Sequence, residues 1–213
     1  MKKTLGLFSA FVLSSLFVCG VCFSEPTHPN EVGLYLNPDG TGPSGYSHMG
    51  GEVDIHLVLT KPANTEANNI PYSTIGFFEC SLNFSPVPSG LLMYFGFELP
   101  QGSFNSGEPH DITTGVLEFV VAALLDYPIV VSNEAALLAT LTFVNFYTGV
   151  TEIFLGPVAS PRIPGEMAFM SEAGQFRVMN PISGSSEAPV FLFNGEPVSI
   201  ESDSFGSVKA LYR

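Results

Sequence analysis

An all-β chain, folded as an antiparallel sandwich or barrel, is what three observations predict. About ten short stretches rich in Val, Ile, Leu, Phe and Thr recur along the 213 residues, bounded by Gly, Pro, Asn or Ser. The best of them alternate apolar and polar residues at period two, the pattern of a strand with one buried face. No helical segment separates them, apart from a candidate at 207–212, so the crossover units of a dinucleotide-binding fold are excluded.

Before the first strand the chain carries a leader. Met1-Lys-Lys is followed by an apolar run from Leu5 to Val21 and then by Cys22-Phe-Ser24. A basic end, an apolar core and small residues near its close describe a secretory signal peptide, with cleavage expected after Ser24. An uncleaved anchor helix is the competing reading. Neither Val18 before Cys19 nor Val21 before Cys22 is the small residue that precedes a lipidated cysteine. The expected organisation is a leader at 1–24, a polar tail at 25–30, one β-domain over 31–200, and a C-terminal tail or short helix at 201–213.

Composition narrows the partners. Without Lys2 and Lys3 the mature part has 5 Lys and Arg against 20 Asp and Glu, a formal charge of −15. Such a surface repels nucleic-acid phosphates and anionic membranes. Disorder is not implied, because 19 Phe and 46% hydrophobic residues supply a large core. Two of the three cysteines lie in the leader, which leaves Cys80 alone, with no intramolecular disulfide and no cysteine-based metal site. Its strand-like setting, Phe77-Phe-Glu-Cys-Ser-Leu82, points to a buried, inert thiol rather than a reactive one.

The elements follow in order. Val32–Leu36 is a first strand, closed by the turn Asn37-Pro-Asp-Gly-Thr-Gly42. That turn is superficially like a calcium loop but has no bidentate Glu at the required distance. In Glu52–Thr60, Val53, Ile55, Leu57 and Leu59 point one way, and Asp54, His56 and Val58 the other. Strands over 74–84 and 91–99 flank Pro86-Val-Pro-Ser-Gly90, and 100–115 is a Gly-containing loop. Further strands are expected at 151–155, 167–170, 175–179, 190–193 and 197–200, with a Pro- and Gly-rich crossing at 156–165.

The block 116–146 decides the fold. Glu118, Asp126 and Glu134 interrupt it, so it is too short and too charged to span a membrane. Its β-branched and aromatic residues favour two strands joined near Tyr127-Pro128, with a short extra strand at 129–131. Leu117, Phe119 and Val121 share one face; in the second strand Leu137, Ala139, Leu141 and Phe143 do. The opposite faces are poor in charge. If the two strands lie side by side, Val120, Ala122, Leu138 and Thr140 form a flat, weakly polar docking patch. The competing reading has terminal strands such as Val190–Phe193 covering that face.

The middle of the chain resembles a cohesin-type module, a relative of the cellulose-binding sandwiches. The resemblance is carried by Gly51-Glu-Val-Asp-Ile-His-Leu-Val-Leu59, Ile75-Gly-Phe-Phe-Glu-Cys-Ser-Leu-Asn-Phe-Ser-Pro86, Gly115-Val-Leu-Glu-Phe-Val-Val-Ala122, Ala136-Leu-Leu-Ala-Thr-Leu-Thr-Phe143 and Gly149-Val-Thr-Glu-Ile-Phe-Leu155. It covers about residues 50–180 and implies a nine-stranded flattened jelly-roll sandwich with a non-catalytic role in protein or carbohydrate recognition outside the cell; the chain's own pattern gives about nine to ten strands. An extra strand precedes the matching part and about 30 residues follow it. No duplicated calcium-loop segment of the dockerin kind is present, and the family's binding residues are fixed by no motif here.

A search for chemistry finds no reaction motif. His48 and His56 are the only histidines close in sequence, and a metal would need a third ligand from afar. No nucleophile elbow, His-Glu-x-x-His helix or phosphate loop occurs. Trp, the favoured stacking residue for sugars, is absent; Tyr72, Tyr94, Tyr127 and Tyr147 are the substitutes. Asn83-Phe-Ser85 fits a glycosylation sequon, in a strand ahead of a Pro. The C-terminal Ser204–Arg213 is a frayed tail or a docking tag. The expectation is therefore a secreted, extracellular or cell-surface binding or assembly module, periplasmic being the variant, without catalytic residues, metal or cofactor. Its partner is a protein or a polysaccharide, with no nucleic acid and no membrane span after leader removal. A carbohydrate-active enzyme or lectin with a carboxylate cleft, and a structural envelope protein, are the alternatives.

Overall fold

The computed structural model describes residues 28–88, 90–107 and 112–195. The leader expected at 1–24, the strand expected at 197–200 and the tail or helix expected at 201–213 lie outside the described residues. Two layers pack face to face. One holds β1 (Glu31–Tyr35), β3 (Glu52–Thr60), β11 (Ala135–Asn145) and β7 (Leu92–Glu98), hydrogen-bonded in that order. The other runs β2 (Gly45–Tyr46), β15 (Phe191–Phe193), β12 (Thr151–Gly156) and β6 (Thr74–Ser85). β6 carries β9 (Val116–Ala123) and β10 (Ile129–Val130) on its far edge, and β8 (Ser103–Asn105) extends β9. β13 (Met167–Ser171) and β14 (Phe176–Pro181) continue from β6, and a parallel pairing of β14 with β1 joins the layers along one edge. A small hairpin of β4 (Ala63–Asn64) and β5 (Ile70–Pro71) stands apart.

The architecture is the antiparallel two-sheet sandwich expected, with more strand segments than the nine or ten counted from sequence. Period-two patterning explains why the layers stick. Ile55, Leu57 and Leu59 of β3, Cys80 and Leu82 of β6, and Leu117, Phe119 and Val121 of β9 all turn inward and are buried. Each fully buried large side chain contributes about 1.5–3 kcal/mol relative to exposure. Aromatic rings fill the middle: Phe143 lies 5.2 Å from Phe193 and 5.3 Å from Tyr94, and Phe97 lies 5.2 Å from Phe119. Packing begins at Asn30, whose side-chain oxygen accepts the Ala63 N–H at 2.7 Å.

Two expectations about the block 116–146 need correction. Its strands do not lie side by side: β9 pairs with β6 in one layer, and β11 pairs with β3 and β7 in the other. Nor is Leu138 on an outer face. Leu137 pairs with Val58 and Ala139 with Leu57, so Leu138 is the extra residue of a β-bulge and is 0% exposed in the core. The bulge shifts the phase of alternation between Leu137 and Ala139. The terminal strand β15 covers no face either; it lengthens its layer at the edge of β12, with Phe191 and Phe193 pointing inward.

Candidate docking surface

The outer face of the β6 layer carries an unusual run of apolar side chains. Register places Phe104 of β8 beside Ala122 of β9, Ala122 beside Phe77 of β6, Phe77 beside Met170 of β13, and Met170 beside Phe176 of β14. Five strands thus present one apolar row across the face. The next row reads Val120, Glu79, Ala168 and Val178. A solvated sheet face ordinarily alternates toward polar residues, so this band departs from the norm.

Beyond β9 the chain rises in a tip. The Leu124 N–H donates to the Gly102 carbonyl at 3.0 Å, and the Tyr127 N–H to the Leu124 carbonyl at 2.9 Å. Gly102 has φ +79, and a Cβ there would meet the Tyr127 Cβ at 2.5 Å, so only glycine allows the approach. The turn leaves Leu125 99% exposed and Phe104 56% exposed, with Leu124 and Tyr127 about half exposed. Between tip and band runs a groove lined by Gly76, Ala123, Leu124, Leu125, Pro128 and Met170.

The Pro-rich crossing after β12 straps the other end of the band. The Ala159 N–H donates to Glu118 Oε1 at 2.7 Å, and the Ser81 hydroxyl to the Pro157 carbonyl at 3.0 Å. The Arg162 guanidinium sits 5.1 Å from the Phe77 ring centroid and 5.7 Å from that of Phe176, while its backbone N–H donates to the Glu79 carboxylate. Burial pushes the Glu79 carboxyl above its ordinary range, and the Arg162 N–H and charge act against that rise.

Of the four residues expected to dock a partner, Val120 and Ala122 lie half-buried on this band. Leu138 is in the core. Thr140 is on the outer face of the opposite layer, where its hydroxyl meets His56 Nδ1 at 3.0 Å. The four do not form one patch. The tyrosines also separate: Tyr72 is buried and its hydroxyl accepts from Arg177 Nε at 3.3 Å, Tyr94 packs on Phe143, Tyr147 is half-buried, and Tyr127 alone of the four is exposed. Burial and then Glu79 raise the Cys80 thiol far above its usual range, in keeping with an inert core residue. In the turn at 37–42, Asp39 Oδ1 accepts from the Thr41 N–H at 3.0 Å and its hydroxyl at 2.6 Å. Among the described residues no three His, Cys, Asp or Glu side chains gather as a metal would require. No described helix is long and apolar enough to cross a membrane.

Sequence reasoning missed the tip. Its signal was present: Leu124-Leu125 sits directly before Asp126-Tyr-Pro128, where a turn should carry polar residues.

No known protein family matches this chain. No curated protein matches it either. The solved structures it is similar to include cohesin domains. One is a type II cohesin domain from the cellulosome of Acetivibrio cellulolyticus, at 12% identity and TM-score 0.48, covering 78% of this chain and 96% of that one. Another, the second type II cohesin module from the adaptor ScaA scaffoldin of the same organism, covers 87% of this chain and 99% of its own at 13% identity and TM-score 0.48. A type I cohesin–dockerin complex from Clostridium thermocellum matches at 9% identity and TM-score 0.46, over 72% and 94% of the two chains. At these identities the likeness is one of strand layout, and what the matched modules bind does not pass to this chain with it.

Proposed function

We propose that this protein is an exported, non-catalytic module that docks a protein partner on the outer face of its β6 layer. The observation that carries this is the apolar band ending in the exposed Phe104, Leu124, Leu125 and Tyr127, on a chain of formal charge −13. A fully solvated Leu beside a half-solvated Phe gains about 1.5–3 kcal/mol per side chain when a partner buries it. Aromatic side chains such as Phe104 and Tyr127, set against a groove, are common anchors of an interface. Export is supported by the leader pattern of residues 1–24. Sugars stack on flat aromatic faces, and three of the four candidate tyrosines are withdrawn or half-buried, which favours a protein over a polysaccharide.

The test replaces the tip without touching the core. A photo-crosslinking residue at Phe104 is expected to capture a discrete partner from the native exported fraction, and the same residue at Glu166 is not. Leu125→Asp should abolish the crosslink while leaving the melting temperature unchanged. Equal capture at both positions would sink the docking site, and turnover of any polysaccharide by the purified protein would overturn the non-enzymatic reading.

A further inference from the structure

We propose that the Pro-rich strap over 157–165 is a pH-gated cover, shut over the apolar band in acid and lifting off Phe77 as the buried Glu79 carboxyl ionises. The motion of the strap stands on its own; its role in regulating docking rests on the function proposed above.

Register turns Phe77, Glu79 and Ser81 toward the outside of the β6 layer, yet they are only 7%, 1% and 3% exposed. The strap crosses all three, and side chains make its hold on the sheet. The Ser81 hydroxyl donates to the Pro157 carbonyl, Glu118 accepts the Ala159 N–H, and Glu79 accepts the Arg162 N–H. The Arg162 guanidinium rests over the Phe77 and Phe176 rings. Among the described residues no backbone–backbone hydrogen bond ties 157–165 to β6 or β9. Val158 is the one buried residue of the strap, so little area holds it down. Gly165, at φ +79 with nothing within 4 Å of a Cβ position, gives it a free pivot before β13.

Glu79 is the group that senses pH. Among the described residues its carboxylate has one hydrogen bond and no salt bridge. The charged groups around it are Glu118 on β9, Arg162 on the strap and Glu166 just past it, while β13 carries none. Arg177 of β14 turns to Tyr72 and Glu66, Glu152 of β12 aligns with Ser85 at the end of β6, and Cys80 faces the core. One N–H does not replace the hydration lost under the strap, so burial raises the proton affinity of Glu79, with the Arg162 N–H and charge opposing. Lifting the strap returns the carboxylate to water and its pKa toward the ordinary 4.5. The shut state therefore binds the proton more tightly than the open one. Closure is fully favoured below 4.5 and weakens as pH rises through the higher value of the shut state. A neutral carboxyl still accepts the Arg162 N–H through its carbonyl oxygen, so protonation removes no anchor.

The experiment measures amide-exchange protection at Ala159 and Arg162, corrected for intrinsic exchange, from about pH 4 to about pH 8, with Phe78 and Cys80 as core references. Protection at Arg162 should fall about threefold or more across that range, and the core amides should not share the fall. Glu79→Gln keeps a carbonyl acceptor and cannot ionise, so it should hold the acid level at every pH. Glu118→Gln should keep the slope of the parent. A flat or rising profile in the parent overturns the cover, as does an undiminished slope in folded Glu79→Gln; if that variant does not fold, the parent profile alone decides. At about pH 8 the photo-crosslink from Phe104 should be about threefold weaker in Glu79→Gln than in the parent. Equal crosslinking by the two overturns the gating and leaves the docking surface standing, since the exchange measurement involves no partner.

Discussion

Two side chains in the β3–β11–β7 layer show how single groups tune this fold. The Tyr94 hydroxyl is buried and has no hydrogen-bond partner, and burial holds its proton well above the usual phenol range. A buried, unmade hydrogen bond costs about 1–3 kcal/mol. Tyr94→Phe keeps the ring against Phe143 and removes that cost, so it should raise stability by about 1 kcal/mol in urea unfolding. His56 works through pH. Burial lowers its pKa below the ordinary 6.5, with Asp54 opposing the shift. The unfolded chain then binds a proton before the native state does, so stability rises with pH through a window just below 6.5 and levels off above it. Melting temperatures across that range should rise with pH for the parent, and His56→Gln should flatten that slope. An unchanged slope in the variant would assign it to other groups.

At the scale of the element, the bulge in β11 decides which side chains meet water. Strict alternation from Leu137 to Phe143 puts Leu138 beside Thr140 on the outside. One inserted residue reverses the phase, and Leu138 enters the core while Thr140 stays out. Nothing local marks the insertion: Leu137, Leu138 and Ala139 are all apolar, so the sequence pattern is equally consistent with either phase. By contrast the alternation of β3 was legible, because Asp54 and His56 mark the face opposite Ile55 and Leu57; Val58, on their face, is buried beside Tyr35 and Ala135. The distinction predicts different fates for the same substitution. Leu138→Arg buries an unpaired charge and should leave the chain unfolded by circular dichroism. Val120→Arg, on the half-buried outer face of β9, should fold and lose partner binding instead.

Across the whole molecule, composition spoke clearly about class and patterning about layers, but neither spoke about which strands become neighbours. Alternation records that β9 and β11 each bury one face. It does not record that the first joins β6 and the second joins β3, since those pairings span tens of residues and depend on how the sandwich closes. The apolar band was half legible for the same reason: Val120 and Ala122 are readable from their own strand, whereas Phe104, Phe77, Met170 and Phe176 join them only through register. Charge acts at this scale too. Five Lys and Arg against 20 Asp and Glu over residues 25–213 leave strong self-repulsion in the compact state. Raising ionic strength from about 10 mM to about 150 mM shortens the Debye length from about 30 Å to about 8 Å and should raise the melting temperature.

The parallel seam of β1 and β14 has a mechanical meaning. β1 is bonded on both edges, to β14 and β3, and β15 likewise, to β12 and β2. Glu31 stands at the end of the sandwich marked by Thr60 and Ala135, and Asn194 at the opposite end beside Asn145. Tension applied through the two ends of the domain would therefore load both terminal strands along their own axes, shearing whole ladders at once instead of unzipping them bond by bond. A module held between two tethers in this way resists extension through its unfolding rate, so the seam makes the domain a stiff link.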